Sequence, residues 1–376
     1  MPTPKTTNVT VVDTLRIAIF AVVILAGCGG GSMNNGGSKN GGGTGPGVPS
    51  VATSLYVFQN NDAFFPPSPS SVLQFLRTAN GMVAPSSTIS GPASVVFSAL
   101  SVDAAGNLYV AGQTIGTTAA TGSEILVYAP GATGKASPLR TIAGAATGMQ
   151  VLSTTTVSSM AIDAVSDLYV ATDVQLGTGP SNRVYPGVSV FAPTATGNVA
   201  PTKSIAGDAT GIFSPAQIAL DSAANLYIAN SAVQGPASIL VFNSGATGNV
   251  APSSTLGGDK TNIYIPRGVA IDTAGNIYVA SLDQNLPPGP GLGGTPRILV
   301  FAPGATGNVA PVRAITGSAT TMGEIGNLRV DSAGNIYVLS GTTILKFAAN
   351  ASGNVAPADS ITSSSYFQFD GGIAVQ

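Results

Sequence analysis

Read for its hydrophobic and polar positions, the chain beyond residue 50 is a succession of short apolar runs broken by turn residues, the signature of strands. The stretch from residue 267 shows it best, with strands predicted over 267–271, 276–280, 297–301 and 312–315. The first two flank the tight turn Asp272-Thr-Ala-Gly-Asn, where Asp can accept backbone N–H groups and Gly or Asn can take a positive φ. The third runs into a longer turn, Ala302-Pro-Gly-Ala-Thr-Gly-Asn-Val-Ala-Pro311. On the first strand of each such unit the side chains alternate. Positions two and four before the turn Asp are mostly small (Ser101 and Ala99, Ala161 and Ser159, Ala219 and Gln217, Ala270 and Gly268), while Val102, Leu100, Ile162, Met160, Ile271 and Val269 form the other face.

The pattern repeats. Turn aspartates Asp103, Asp163, Asp221, Asp272 and Asp331 each lead into Leu-Tyr or Ile-Tyr directly after the turn, and the Gly-Asn-Val-Ala-Pro motif or its variants end at Pro85, Pro138, Pro201, Pro252, Pro311 and Pro357. Six units of four antiparallel strands predict an all-β fold, a six-bladed β-propeller of four-stranded blades, over residues 51–376. Small residues on one face of the first strand suit blades that converge near an axis, although Arg329 and Asn327 break that pattern in the sixth unit. The terminal Gly371-Gly-Ile-Ala-Val-Gln376 matches Arg267-Gly-Val-Ala-Ile-Asp272, whereas Leu55-Tyr56-Val57 matches a second strand. The C-terminus is therefore predicted to supply the inner strand of a blade whose other three strands are N-terminal, removing the open edge.

The stretch Gly268-Val-Ala-Ile-Asp-Thr-Ala-Gly-Asn-Ile-Tyr-Val-Ala280 resembles the repeat of NHL and related six-bladed propellers. Those repeats continue with Asp and then an Asn-Arg pair. Here the Asp position holds Gly112, Thr172, Asn230, Ser281 and Ser340, and the pair survives only at Asn182-Arg183. The resemblance implies binding of protein or RNA in some relatives and calcium-dependent lactonase or lyase chemistry in others.

The N-terminal segment reads as an address. Lys5 and Arg16 precede the apolar run Ile17 to Leu25, too short to span a bilayer at about 20 residues. It ends in Leu25-Ala26-Gly27-Cys28, which resembles the lipobox of bacterial lipoproteins. That resemblance implies removal of residues 1–27, lipidation of Cys28, and attachment of the protein to the cell envelope, at the outer membrane of a two-membrane host because Gly29 follows the cysteine. Residues 28–50, rich in Gly, Ser and Asn, form a flexible tether with a reach of roughly 25 Å.

Composition narrows the chemistry. Charged residues are 8% of the 376, net charge is −2, and 44% are hydrophobic, so a core can form while no basic patch suits nucleic acid or anionic lipid. The chain has no His and one Cys, which excludes Ser-His-Asp and Cys-His catalysis, His-based zinc sites and intrachain disulfides. No cofactor is expected. Calcium is the metal the resemblance offers, yet the turn aspartates supply one carboxylate each where six to eight oxygens are needed, and they read as turn caps. The recurring Tyr109, Tyr169, Tyr227, Tyr278 and Tyr337 read as packing between blades. Gln217, Asn327 and Asp370 form only part of the inner-strand ligand set that the metal-dependent relatives use.

In an up-and-down meander alternate connections emerge on opposite sides, so the regular turns share one side, with Lys135 and Lys203, and the irregular loops the other. Asp208, Asp259, Lys260, Arg267, Asp283, Arg297, Glu324 and Arg329 are the candidate ligand-binding residues of the loop side, with Asp62, Asp173, Arg183 and Asp370 in or beside its loops. The chain is expected to be a monomeric, noncatalytic scaffold for a protein partner or small ligand. A metal-assisted hydrolase or lyase and a structural spacer are the alternatives.

Overall fold

The computed structural model describes residues 54–60, 69–114, 122–149, 155–174, 186–231, 237–283, 294–362 and 372–376. They form six antiparallel blades arranged as a β-propeller. Blade 2 comprises Val95–Val102, Leu108–Thr114, Ser123–Tyr128 and Arg140–Ile142, from innermost to outermost. Blade 3 follows with Thr155–Ile162, Leu168–Val174, Gly187–Phe191 and Lys203–Ala206. Blade 4 is Pro215–Leu220, Leu226–Asn230, Ser238–Phe242 and Ser254–Gly257. Blade 5 is Ile265–Ile271, Ile277–Leu282, Pro296–Phe301 and Arg313–Thr316. Blade 6 is Ile325–Val330, Ile336–Ser340, Thr343–Phe347 and Asp359–Thr362.

Blade 1 joins the two ends of the ring. Its inner strand is Ile373–Val375, paired antiparallel to Ser54–Gln59, with Ser71–Leu76 and Ser87–Ser90 outside. Tyr56 lies opposite Ala374, as Tyr109 lies opposite Ser101 and Tyr278 opposite Ala270, so the C-terminal strand takes the register expected from the repeat.

The core is not inside any blade but between blades. Six buried apolar clusters each combine side chains of two neighbours, for example Tyr109, Ala111 and Val127 of blade 2 with Met160, Val170 and Phe191 of blade 3. The recurring tyrosines pack in these seams, and the hydroxyls of Tyr109, Tyr227, Tyr278 and Tyr337 donate to the turn aspartates.

Each inner-to-second-strand turn is held by its aspartate. Asp272 Oδ1 accepts the N–H groups of Ala274 and Asn276 at 2.9 and 2.8 Å, while Oδ2 accepts Asn276 Nδ2 at 2.8 Å and the Tyr278 hydroxyl at 3.1 Å. Gly275, at φ 85°, makes the turn without strain.

A second device works between blades. The outer strand of every blade forms a parallel bridge to the glycine of the next blade's long turn: Ile89 to Gly134, Ile142 to Gly197, Ile205 to Gly248, Leu256 to Gly307, Ile315 to Gly353, and Ile361 to Gly81. The asparagine that follows this glycine accepts a backbone N–H beyond the neighbour's outer strand. Asn198, Asn249, Asn308 and Asn354 take those of Ala146, Ala209, Lys260 and Ala319 at 2.7 to 2.8 Å. The Gly-Asn-Val-Ala-Pro motif is therefore a clasp around the rim as well as a turn.

Candidate functional site

Antiparallel pairing sends the inner-to-second-strand turns to one end of the ring and the second-to-third-strand loops and blade-to-blade connections to the other. The loop end holds most of the residues expected there. Asp208, Asp259 and Lys260 are exposed and lie on one-turn 3-10 segments, Asp208–Thr210 and Asp259–Thr261. These segments, with Ala145–Thr147 and Ser318–Thr320, form a repeated Gly-x-x-Thr turn. The buried Thr210 hydroxyl donates to Gly207 O at 2.7 Å and accepts the Ile212 N–H at 3.2 Å. These connections are regular where irregular loops were expected, and the threonine three residues after glycine marks them in the sequence.

Arg267 stands at a register shift between Pro266 and Gly268 in the blade 5 inner strand, half-buried, and makes no hydrogen bond or ion pair among the described residues. Asp283 and Arg297 form an ion pair across the loop end of blade 5, with the guanidinium 5.9 Å from the Tyr264 ring and its Nε buried without a partner. Glu324 sits beside the start of the blade 6 inner strand, and Asp173 accepts the Ser214 hydroxyl at 3.2 Å. Cys28, Asp62, Arg183 and Asp370 lie outside the described residues. Lys135, assigned to the turn side, occupies on blade 2 the clasp register held by asparagine on blades 3 to 6. It therefore belongs to the outer rim.

The axis differs most from expectation. Each inner strand has one edge paired to its blade and the other turned to the centre, leaving backbone groups to be satisfied there. Ser159 Oγ of blade 3 accepts the Ile218 N–H of blade 4 at 3.1 Å. Gln217 of blade 4, fully buried, reaches two blades further: Oε1 accepts the N–H groups of Val269 and Leu328 at 3.2 and 3.0 Å, and Nε2 donates to Leu328 O at 2.9 Å. Gly268 makes room for it, because a Cβ there would stand 2.7 Å from Gln217 Oε1. Gln217 is thus a cross-axis tie rather than part of an open ligand set.

Arg329 also departs from its assignment. It sits two residues before Asp331, opposite Tyr337, at the turn end of the axis and not among the loops. There it helps line a cavity of about 170 Å³ with Ser101, Ala161, Ala219 and Ala270. Its Nη1 donates to Leu328 O at 3.2 Å, and burial pushes the guanidinium down to about 10.

No family model matches the chain, and no curated protein matches it. Among solved structures it is similar to a protein of unknown function from Bacteroides caccae, at 10% identity over 86% of this chain and 98% of that one, with a TM-score of 0.54. A candidate 6-phosphogluconolactonase from Bacteroides uniformis is similar at 11% identity over 86% of this chain and 100% of the other, with a TM-score of 0.52. At these identities the likeness carries the propeller fold and nothing finer.

Proposed function

We propose that this chain is a bacterial cell-envelope lipoprotein, anchored through Cys28, whose propeller is a noncatalytic scaffold that binds a protein partner on its loop end. The observation that supports binding there is how polar side chains are divided. Turn aspartates and rim asparagines are engaged in holding the ring together, whereas Asp259, Lys260, Arg267 and Glu324 concentrate at the loop end. In a chain with 8% charged residues this is where charge remains for recognition on a rigid frame.

The test has two arms. Cys28→Ser is expected to abolish fatty-acid labelling and detergent partitioning; a variant that still partitions like the wild type removes the anchor. Asp259→Ala combined with Arg267→Ala is expected to lose partner cross-linking from envelope membranes at unchanged melting temperature, whereas the exposed turn residues Thr273→Ala and Ser332→Ala leave it intact. Loss only with the turn pair would reverse the working face. Calcium titration by calorimetry is expected to give no tight binding; a tight site would favour the metal-assisted hydrolase or lyase.

A further inference from the structure

We propose that the axial cavity at the turn end of the ring is a binding site for a small organic carboxylate, held by Arg329. This does not rest on the loop-end reading, and either stands without the other.

The cavity is made by the position two residues before each turn aspartate. Four blades place Ser101, Ala161, Ala219 and Ala270 there, and the sixth places Arg329, so one long cation enters a wall of small side chains. Its charge is unmatched among the described residues: no carboxylate pairs with Arg329, whose hydrogen bond goes to the carbonyl of its own neighbour, Leu328. The turn aspartates of this end are engaged elsewhere: Asp331 binds Asn335, the Tyr337 hydroxyl and Arg77 of blade 1, and Asp103, Asp163, Asp221 and Asp272 hold their own turns. A half-buried cation without a counter-charge loses part of its hydration in the free protein, and closing an anion on it offsets that cost. The depressed guanidinium, still protonated at neutral pH, is what burial without an anion produces.

The backbone adds donors together with acceptors. Asp221 N bonds Asn225 O, and Ala219 pairs with Tyr227 two residues further out, so Leu220 between them turns its N–H and C=O away from its own sheet. The same turn bond recurs at Asp103, Asp163, Asp272 and Asp331, which gives Val102, Ile162, Ile271 and Val330 the same orientation; all five residues line the cavity. One layer deeper, Gln217 fills the axis, so a ligand entering from the turn end meets a closed floor.

Size and chemistry choose the ligand. A volume of about 170 Å³ is below the roughly 300–1,000 Å³ of sites for drug-sized molecules, which leaves room for a few heavy atoms. The guanidinium fork matches a planar carboxylate, Ser101 offers a hydroxyl, and the alanine methyls suit a short carbon chain better than a fully hydrated inorganic ion.

Calorimetry and thermal melting of the full chain in detergent would use acetate, succinate, inorganic phosphate and sulfate at constant ionic strength set with chloride. Acetate or succinate is expected to bind and raise the melting temperature, with affinity falling about tenfold or more in Arg329→Gln. Arg329→Ala follows the small-residue pattern of the other blades, so it is expected to melt at or above the anion-free wild type while losing the carboxylate response. Ala270→Val, which keeps the cation and narrows the cavity, is expected to lose it too. A carboxylate response no larger than that of chloride, binding of phosphate or sulfate alone, or unchanged affinity in both Arg329→Gln and Ala270→Val would overturn the assignment.

Discussion

Asn249 on the long turn of blade 4 accepts the backbone N–H of Ala209, in the connection leaving blade 3, at 2.8 Å, and does so directly over Gly207. Gly207 has φ 124°, and a Cβ there would lie 2.5 Å from the Asn249 side chain. One glycine without a side chain and one asparagine from the next blade thus make a single joint, repeated at Gly144 with Asn198, Gly258 with Asn308 and Gly317 with Asn354. Gly207→Ala is expected to destabilise by about 1–3 kcal/mol through backbone strain and the clash, and Asn249→Ala by about 1 kcal/mol through the lost cap. Denaturant unfolding of both single variants and the pair checks this. The joint fails as an explanation if Gly207→Ala unfolds at the wild-type midpoint.

Ring closure makes a separate prediction. Ile373–Val375 pairs with Ser54–Gln59, Gln376 N bonds Ser54 O at 3.0 Å, and Ile373 and Ala374 are buried in two different seams. Deleting residues 372–376 removes an inner strand and opens both seams, so the loss is expected to exceed the ~3 kcal/mol of a typical severe point mutation. Differential scanning calorimetry of the truncated chain would show a large fall in melting temperature; an unchanged transition would mean that the ring does not depend on this strand.

The repeat made the blades readable because everything within one blade is local. Asp272, Gly275, Asn276 and Tyr278 lie within seven residues and specify the turn, and the strands expected at 267–271, 276–280, 297–301 and 312–315 appear as Ile265–Ile271, Ile277–Leu282, Pro296–Phe301 and Arg313–Thr316. Closure was readable for the same reason, since residues 371–376 match an inner strand. What the sequence hid is contact between repeats. Gly248 reads as a turn glycine whether or not Ile205 of the preceding blade bridges to it, and Gln217 reads as one ligand of an incomplete set until Val269 and Leu328 are placed beside it. Arg329 breaks the small-residue pattern visibly, but its end of the axis follows only from its register opposite Tyr337.

Blade 3 departs from the repeat in a way that predicts a stabilising change. Its turn carries Asp167 where blades 2, 4, 5 and 6 carry an asparagine whose Nδ2 donates to the turn aspartate. Burial and the facing Asp163 carboxylate raise the Asp167 carboxyl above its ordinary value. A carboxyl raised on folding weakens the folded state at neutral pH, and that penalty fades as pH falls through the folded value towards the unfolded one of about 3.9. Asp167→Asn is therefore expected to gain about 0.5–1.5 kcal/mol at pH 7 from one new hydrogen bond, with the gain shrinking on acidification. At Asp272 and Asp331 the sign is opposite. Burial would raise them, but hydrogen bonds from Asn276 and Asn335 outweigh it and hold both below the usual value, so their contribution is present above about pH 3.9 and lost as pH falls further. Melting curves from pH 3 to 7 separate the two, and a gain for Asp167→Asn that grows in acid would contradict this account.

The cross-axis tie supplies the sharpest stability test, because Gln217 and Gly268 explain each other. Gln217→Leu keeps the volume but leaves the N–H groups of Val269 and Leu328 without their acceptor, while Leu328 O retains Arg329. At about 1–3 kcal/mol for each orphaned buried group, the expected cost is roughly 2–6 kcal/mol. Gly268→Ala puts a methyl 2.7 Å from the Gln217 Oε1 position and 3.1 Å from Gly326 O, so it displaces the same side chain and breaks the same hydrogen bonds. Once Gln217 is shortened to alanine most of that clash has no partner. The double variant Gln217→Ala with Gly268→Ala should accordingly cost clearly less than the sum of its two single changes, by more than the ~0.3–0.5 kcal/mol scatter of independent sites. Strict additivity in urea unfolding would show that the two residues do not meet at the axis, and that the inner-strand edges are satisfied in some other way.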